Sequence, residues 1–121
     1  MEYKLELQKV TIYLELAEYL MKKYDVYENL PAALVLAEII SRAVFSLVQA
    51  CLYYYDYGLA YSHDERKSVI KRIDKSLGEL YEEALKLHGE AYGLYITIED
   101  ITELYEKLKK EFEKWKRKFG I

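Results

Sequence analysis

A long apolar segment between Leu30 and Tyr55 is the feature that most limits what this chain can fold into. Its firmly polar side chains are Glu38, Ser41, Arg42, Ser46 and Gln49. All of them except Ser41 follow steps of four, four and three, which places them on one face of an α-helix. Every other face of that helix is apolar. The helix must therefore be covered on nearly all sides.

A membrane-spanning helix is the main alternative, because about 26 residues at roughly 1.5 Å each would cross a bilayer core. The charges of Glu38 and Arg42 argue against it. With them in place, no apolar run reaches the roughly 18 uncharged residues that a membrane helix needs, and each charge costs about 3 kcal/mol near the bilayer centre. The sequence therefore favours a buried core helix, with no membrane as a partner.

The length and the charge restrict the protein further. With 121 residues, the chain is predicted to form one helical domain over residues 1–121. The net charge of −3 argues against a surface devoted entirely to nucleic acid. A single cysteine and an N-terminus that carries early glutamates favour a cytoplasmic protein without a disulfide or a targeting segment. Many Lys and Glu residues with few Asn and Gln are typical of a thermophile.

Three more helices are predicted from apolar residues that repeat at steps of three and four. The first covers about Tyr3 to Tyr24, and Asn29 caps the apolar helix, which runs to about Asp56. The third begins at Ser62 and continues to Gly93, with its core stripe at Ile70, Ile73, Leu77, Leu80, Ala84, Leu87 and Ala91. The fourth begins at Thr97, with core positions at Ile101, Leu104, Leu108, Phe112, Trp115 and Phe119. No long alternating run predicts a strand, so the fold class is all-α.

Catalytic and metal-binding patterns are scarce in this sequence. His63 and His88 have no flanking metal-ligand spacing, and neither a phosphate loop nor a second cysteine is present, so we expect no metal and no cofactor. We interpret His63 as part of a capping turn, His88 as a half-buried helix histidine and Cys51 as a small core hydrophobe. For an enzyme of unrecognised type, the only defensible catalytic group is His88 with Arg42 and Glu38.

A basic segment opens the predicted third helix and contains Arg66, Lys67, Lys71, Arg72 and Lys75. Its three lysines lie on one ridge at steps of four, where like charges repel by a few tenths of a kcal/mol per pair. One interpretation is an anion site for a nucleotide or RNA phosphate, with nearby tyrosines as stacking surfaces. The other is a solvated face that acidic neighbours such as Glu65 and Asp74 neutralise.

The polar stripe of the apolar helix, formed by Glu38, Arg42, Ser46 and Gln49, also has two interpretations. Glu38 stands four residues before Arg42, which is the favourable order for a helical ion pair. If the stripe faces water, it is the exposed edge of a mostly buried helix. If it faces a groove or a second subunit, it is a polar seam that fixes the register or binds a ligand.

The chain resembles a known family in two long segments. They are LPAALVLAEIISRAVFSLVQA at Leu30 to Ala50 and HGEAYGLYITIEDITELYEKLKKEFEKW at His88 to Trp115. With the long amphipathic first helix, they are similar to the HEPN superfamily, and most to its small archaeal proteins of the PaREP type. The resemblance implies an antiparallel up-and-down four-helix bundle that forms a homodimer. It also implies an association with nucleotides, with nucleotidyltransferase partners or with RNA cleavage.

The sequence departs from this family at its ribonuclease motif, in which an Arg precedes a His by four to six intervening residues. The positions that would carry the Arg before His88 are Tyr81, Glu82 and Glu83. Before His63 they are Asp56, Tyr57 and Gly58. None of these is an arginine, so the resemblance carries over a fold and a dimeric habit and weighs against nuclease activity.

Three hypotheses about function follow from these observations. The first is a non-catalytic HEPN-like protein that self-associates and binds a nucleotide, an RNA or a protein partner. The second is a purely structural homodimeric scaffold without a ligand. The third is an enzyme, in the form of a degenerate HEPN nuclease. No side chain is predicted to be catalytic under the first two.

Overall fold

The computed structural model describes residues 2–57, 62–93 and 97–121. These residues form five α-helices and, within the described ranges, no strand. The all-α prediction is therefore confirmed for the part of the chain that is described. The helices are α1 (Glu2–Lys23), α2 (Leu30–Tyr54), α3 (His63–Ile73), α4 (Lys75–Gly93) and α5 (Ile98–Phe119).

The apolar segment forms α2, which is the central helix. Asn29 caps it as predicted, since its side-chain oxygen accepts a hydrogen bond of 3.1 Å from the amide of Ala32. The helix ends just before Asp56, which adopts a left-handed backbone with φ of 63°. Fifteen of the 25 residues of α2 are buried, and α2 packs against each of the other four helices.

The length and composition of α2 also suffice to cross a membrane. A buried core helix and a membrane span share these two properties, so they do not separate the two cases. What the fold adds is that α1, α3, α4 and α5 all contact α2 and bury most of its apolar side chains. Burial of this extent is what a core helix requires. The cytoplasmic location stays a prediction.

The fourth predicted helix is α5, and its start and core face are as expected. The hydroxyl of Thr97 accepts a hydrogen bond of 3.1 Å from the amide of Asp100, which starts the helix. Gly120, in a left-handed conformation with φ of 76°, ends it. Of the six predicted core positions, Phe119 is partly buried and the others are buried, namely Ile101, Leu104, Leu108, Phe112 and Trp115.

The prediction of one helix from Ser62 to Gly93 is wrong, because the chain breaks at Asp74 into α3 and α4. Asp74 has an extended backbone, and its carboxylate accepts hydrogen bonds from the amides of Ser76 at 3.1 Å and Leu77 at 3.3 Å. These bonds satisfy the first amides of a new helix. The same carboxylate lies 2.6 Å from the ammonium of Lys114 on α5, which fixes the junction against the bundle.

Most of the predicted core stripe is preserved despite this break. It is now shared between α3 and α4, with Ile70, Leu77, Leu80, Ala84 and Leu87 buried and Ile73 partly buried. The side chain of Ala91 lies outside the described residues. The spacing of the apolar residues therefore identified the correct core face but not the number of helices.

Side-chain contacts fix the directions of the long helices. Tyr3 at the start of α1 meets Tyr54 at the end of α2, with ring centroids 5.5 Å apart, so these helices are antiparallel. On α5, the hydroxyl of Tyr105 donates a hydrogen bond of 3.0 Å to Glu18 near the end of α1, which makes that pair antiparallel as well. A third antiparallel pair is α4 and α5, because Ser76 at the start of α4 contacts Lys114 late in α5 at 2.9 Å, while Glu83 contacts Lys107 at 2.9 Å.

Candidate functional site

Glu38 is the centre of a polar group on the surface between α2 and α4. One carboxylate oxygen accepts a hydrogen bond of 2.8 Å from Nε of Arg42, one turn further along α2. The other lies 2.8 Å from Nδ1 of His88 on α4. A single carboxylate therefore holds a guanidinium and an imidazole, and these are the three residues that the sequence offered as a catalytic group.

This arrangement affects both partners of Glu38. The hydrogen bond to Glu38 and the negative charge of Glu38, followed by a hydrogen bond that Arg42 donates to Tyr13, raise the pKa of Arg42 above its usual range. The same carboxylate places negative charge 2.8 Å from Nδ1 of His88. His88 keeps 32% of its side chain exposed and Arg42 keeps 60%, so both can be reached from solvent.

The second histidine lies close by and is held by a tyrosine. Nδ1 of His63, the first residue of α3, is 2.5 Å from the hydroxyl oxygen of Tyr81 on α4. Tyr81 is only 1% exposed, and burial raises the pKa of its hydroxyl, while the charge of Arg66 and a hydrogen bond from it act in the opposite direction. The Tyr81 hydroxyl is therefore shared between His63 and Arg66.

Desolvation lowers the pKa of His63, and the charges of Arg66 and His88 lower it further, whereas Asp64 raises it. The residue as a whole is exposed, but its ring packs against Phe45 and Tyr81, with centroids at 5.4 Å and 6.0 Å. Partial cover of the ring accounts for the desolvation. A lowered pKa keeps His63 neutral at pH 7.

Phe45 joins the two histidines. Its ring centroid lies 5.4 Å from that of His63, 5.9 Å from that of His88 and 5.7 Å from that of Tyr81. The contacts with Tyr81 and His88 are edge-to-face, which is a favourable geometry for such rings. We call this group the histidine cluster, and it consists of Glu38, Arg42, Phe45, His63, Arg66, Tyr81 and His88.

Local structure explains why these side chains meet. Helical steps of four and three bring the three α2 residues of the cluster to one side of α2, and a step of seven does the same for Tyr81 and His88 on α4. The hydroxyl of Ser62 accepts a hydrogen bond of 3.2 Å from the amide of Glu65, and this cap fixes the start of α3 at His63. Arg66 follows three residues later on α3.

The predicted polar stripe of α2 is divided between two environments. Glu38 and Arg42 belong to the histidine cluster at the surface. Ser46 and Gln49 are buried, with 9% and 6% of their surfaces exposed. The stripe is therefore neither a continuous exposed edge nor a continuous groove, and only its first half can reach a ligand in this chain.

The basic segment is also divided. Because the chain breaks at Asp74, Lys75 begins α4 and does not continue the ridge of Lys67 and Lys71 on α3. The ammonium of Lys71 lies 2.6 Å from Glu82 on α4, and the charges of Lys71 and Lys67 lower the pKa of Glu82. These contacts fit the second interpretation of the basic segment, in which acidic neighbours neutralise a solvated face.

The remaining two basic side chains have different surroundings. Arg72 lines a shallow depression together with Asp64 and Glu65, so acidic groups are close to it. Arg66 contacts Tyr81 and is the one member of the basic segment that belongs to the histidine cluster. Positive charge available to a ligand is therefore best supported at Arg66.

Sequence reasoning grouped Glu38, Arg42 and His88 and placed Arg66 in a possible anion site, but it gave no role to Phe45 and Tyr81 and did not connect His63 with them. His63 does lie at a capped helix start, as predicted, yet its contact with Tyr81 depends on how α3 folds back onto α4. The interval of seven between Tyr81 and His88 was the available signal, since it places both on one helical face.

The structure also describes Cys51 and the side chains that could bind a metal ion. Cys51 is fully buried, and burial raises the pKa of its thiol far above the usual range, as expected for a core residue and not for a nucleophile. Among residues 2–57, 62–93 and 97–121, no group of three or more His, Cys, Asp or Glu side chains is arranged to hold a metal ion.

Comparison of the chain with protein-family models, with curated proteins and with solved structures gives no match.

Proposed function

We propose that this protein is a HEPN-like helical protein that self-associates and binds a nucleotide or RNA at the histidine cluster. The observation that carries this proposal is that two imidazoles from α3 and α4 meet at the ring of Phe45 on α2. Two guanidiniums are held by members of the same cluster, Arg42 by Glu38 and Arg66 by Tyr81. Guanidinium and imidazole groups hydrogen bond to phosphate oxygens, and an aromatic ring offers a surface for a base. A protein partner, including one of the nucleotidyltransferase type, is the other occupant that fits the proposal.

The proposed architecture is an antiparallel up-and-down bundle of the four long helices α1, α2, α4 and α5, with α3 as a short addition. Its support is the antiparallel direction of α1 against α2, of α4 against α5 and of α1 against α5. We also propose that the protein is archaeal and cytoplasmic and that its topology is HEPN-like. The basis for these three points is the resemblance in sequence.

Electrostatics support an anionic ligand more than a cationic one. Arg66 and His88 both lower the pKa of His63, which means that these groups oppose a positive charge on its ring. A phosphate placed between them would offset this effect and would raise the pKa of His63. Glu38 offsets part of the charge, since it already contacts Arg42 and His88.

The test is ligand binding by thermal shift and fluorescence anisotropy, with ATP, AMP and a labelled single-stranded oligoribonucleotide as probes. A ligand at about 100 times its Kd stabilises the folded protein by about 2.7 kcal/mol, which raises Tm by several degrees. We expect Arg66→Gln and Arg42→Gln each to weaken binding about tenfold or more, because each removes a charge-assisted hydrogen bond.

Lys75→Gln is the matched control, since it removes the same charge from an exposed member of the basic segment that lies outside the histidine cluster. We expect it to leave the affinity within about twofold of the original value, as a distant surface charge acts weakly at physiological ionic strength. Equal losses of affinity in Lys75→Gln and Arg66→Gln would indicate that the ligand binds the basic segment and not the histidine cluster. An absence of any shift with all three probes would remove the nucleotide proposal.

A second candidate, an enzyme, is favoured by the contact between Glu38 and His88. A carboxylate that orients an imidazole is the arrangement in which histidine acts as a general base. The same oligoribonucleotide distinguishes the two candidates. If the original protein cleaves the oligonucleotide and His88→Gln abolishes this cleavage, the protein is an enzyme. If the oligonucleotide stays intact, only the binding function is supported.

A further inference from the structure

The outer face of α1 carries an apolar stripe that does not take part in the core. Leu5, Ile12, Leu16 and Tyr19 are 59%, 54%, 44% and 54% exposed. The core side of the same helix buries Leu7, Val10 and Ala17. A surface helix of a monomer normally has polar residues opposite its core face. α1 is therefore apolar on two faces, and only one of them is covered by the residues that the structure describes.

The spacing of this stripe fits a second helix. Leu5, Ile12 and Tyr19 are seven residues apart, which is the repeat of helices that pack along one another. With Gln8 and Leu16 included, the steps are three, four, four and three, so the stripe is symmetric about Ile12. A two-fold contact requires such self-complementarity, because each pair of contacting residues occurs twice.

We propose that a second copy of this chain packs against this stripe, with the two α1 helices antiparallel and Ile12 at the two-fold axis. Leu5 of one subunit then faces Tyr19 of the other. This inference rests on the self-association in the proposed function and names its surface. The alanines of α2 offer no such surface, because they are buried within the monomer, namely Ala32, Ala33, Ala37, Ala43 and Ala50.

The available area is compatible with a dimer. Four large side chains that are about half exposed offer roughly 100 Å² each, or about half of the 800 Å² that each partner contributes to a standard interface. The rest can come from a shallow groove beside the stripe, which Tyr53 of α2 lines together with Glu2, Glu6 and Lys9. This gives the proposed interface an apolar centre and a charged rim, as stable interfaces have.

The first experiment is sedimentation velocity of the full chain at micromolar concentrations. We expect a dimer for the original protein and a monomer for Ile12→Glu, because the substitution places two carboxylates against each other at the axis. Leu30→Glu is the matched control, since Leu30 is 55% exposed at the first residue of α2 and is not a member of the stripe. It should leave the dimer intact, and circular dichroism checks that both variants are folded.

The second experiment tests the direction of the helices by disulfide cross-linking. Cys51 is fully buried, so a cysteine placed on α1 is the accessible thiol. Under mild oxidation, Ile12→Cys should cross-link to itself, whereas Leu5→Cys should cross-link only when mixed with Tyr19→Cys. In the antiparallel dimer two copies of residue 5 are roughly 21 Å apart along the helix axis, which is too far for a disulfide.

These outcomes separate the two proposals. A dimeric original protein whose Ile12→Glu variant is equally dimeric would overturn the α1 interface and leave self-association standing. Self-linking of Leu5→Cys would overturn the antiparallel direction. A monomer at every concentration would remove self-association itself, and the ligand tests at the histidine cluster would be unaffected.

Discussion

The two sides of α2 differ in what their side chains contribute. On one side the histidine cluster places charged and polar groups of α2, α3 and α4 next to Phe45. On the other, at the end of α2, rings from α1, α2 and α5 pack together, and we call this group the aromatic end. It consists of Tyr3, Tyr54, Tyr55, Trp115 and Phe119.

The aromatic end is what burial of apolar area alone produces. Trp115 is fully buried, and Phe119 lies 5.4 Å from it and 4.7 Å from Tyr54 between ring centroids. Large rings in such contacts provide much of the stability of a small domain. The histidine cluster instead holds polar groups whose partial burial costs free energy unless they are paired. Stability explains the first group, whereas for the second we propose a ligand.

The largest expected effect is loss of stability at the aromatic end. Trp115→Ala should lower the free energy of unfolding by about 3–5 kcal/mol, because it removes a fully buried ring and leaves a cavity. Arg42→Gln in the histidine cluster should cost less than about 1 kcal/mol, since Arg42 is mostly exposed. Urea denaturation followed by circular dichroism measures both values.

Tyr55→Ala is the control for the tryptophan. Tyr55 belongs to the same aromatic end, with its ring 6.3 Å from that of Trp115, but it is 44% exposed. It should therefore cost clearly less than Trp115→Ala. If Arg42→Gln destabilised the protein as much as Trp115→Ala, the contrast between the two sides of α2 would be broken.

An intermediate effect is expected where α3 packs against α4. A Cβ added at Gly78 would lie 2.8 Å from the backbone Cα of Lys71, so Gly78→Ala must push α3 away. We expect a loss of about 1–3 kcal/mol from overpacking, despite the advantage of about 1 kcal/mol that alanine has in a helix. Ligand binding should weaken too, because α3 carries His63 and Arg66.

Gly89→Ala is the matched control on the same helix. Nothing lies within 4 Å of a Cβ added at Gly89, so only the helix propensity changes. The free energy of unfolding should rise by roughly 0.5–1 kcal/mol, and ligand binding should be unchanged. If both alanine variants stabilised the protein, close packing of α3 would not be what holds His63 against Tyr81.

The sequence predicted α2 and α5 well because their signals are local. Asn29 and Thr97 mark helix starts through their own side chains, and apolar periodicity identifies the core face. The prediction of a single helix failed at Asp74, because the apolar residues keep their helical spacing from Ile70 to Leu77 across the break. A capping aspartate therefore ended the helix although the hydrophobic pattern did not change.

The histidine cluster was only partly predictable for a different reason. Glu38 and Arg42 are one turn apart, so their pairing follows from helical geometry. The contacts of His63 with Tyr81 and of Glu38 with His88 join different helices and depend on how those helices pack. Periodicity gives the face of a helix but not the partner across it, and the tyrosine that holds His63 was for that reason missed.

The smallest expected effect concerns pH and tests whether the cluster is as positive as proposed. His63 is in contact with Tyr81 and Phe45, and the charges that act on it are those of Arg66, His88 and Asp64. Its pKa in the folded protein is lowered below the value of about 6.5 in an unfolded chain. Between the two values the unfolded chain binds more protons, so stability is present above about pH 6.5 and declines as the pH falls towards the folded pKa.

NMR titration of the His63 ring checks this prediction directly. The ring should titrate below about pH 6.5 in the original protein. Arg66→Gln should raise the pKa of His63, because it removes a positive charge that disfavours the imidazolium. A bound phosphate should raise it further, whereas Lys75→Gln should have little effect. The opposite outcome is a His63 pKa at or above the usual histidine value that does not respond to Arg66→Gln. The cluster would then lack the positive charge that the proposed phosphate site requires. It would differ from the aromatic end in polarity alone.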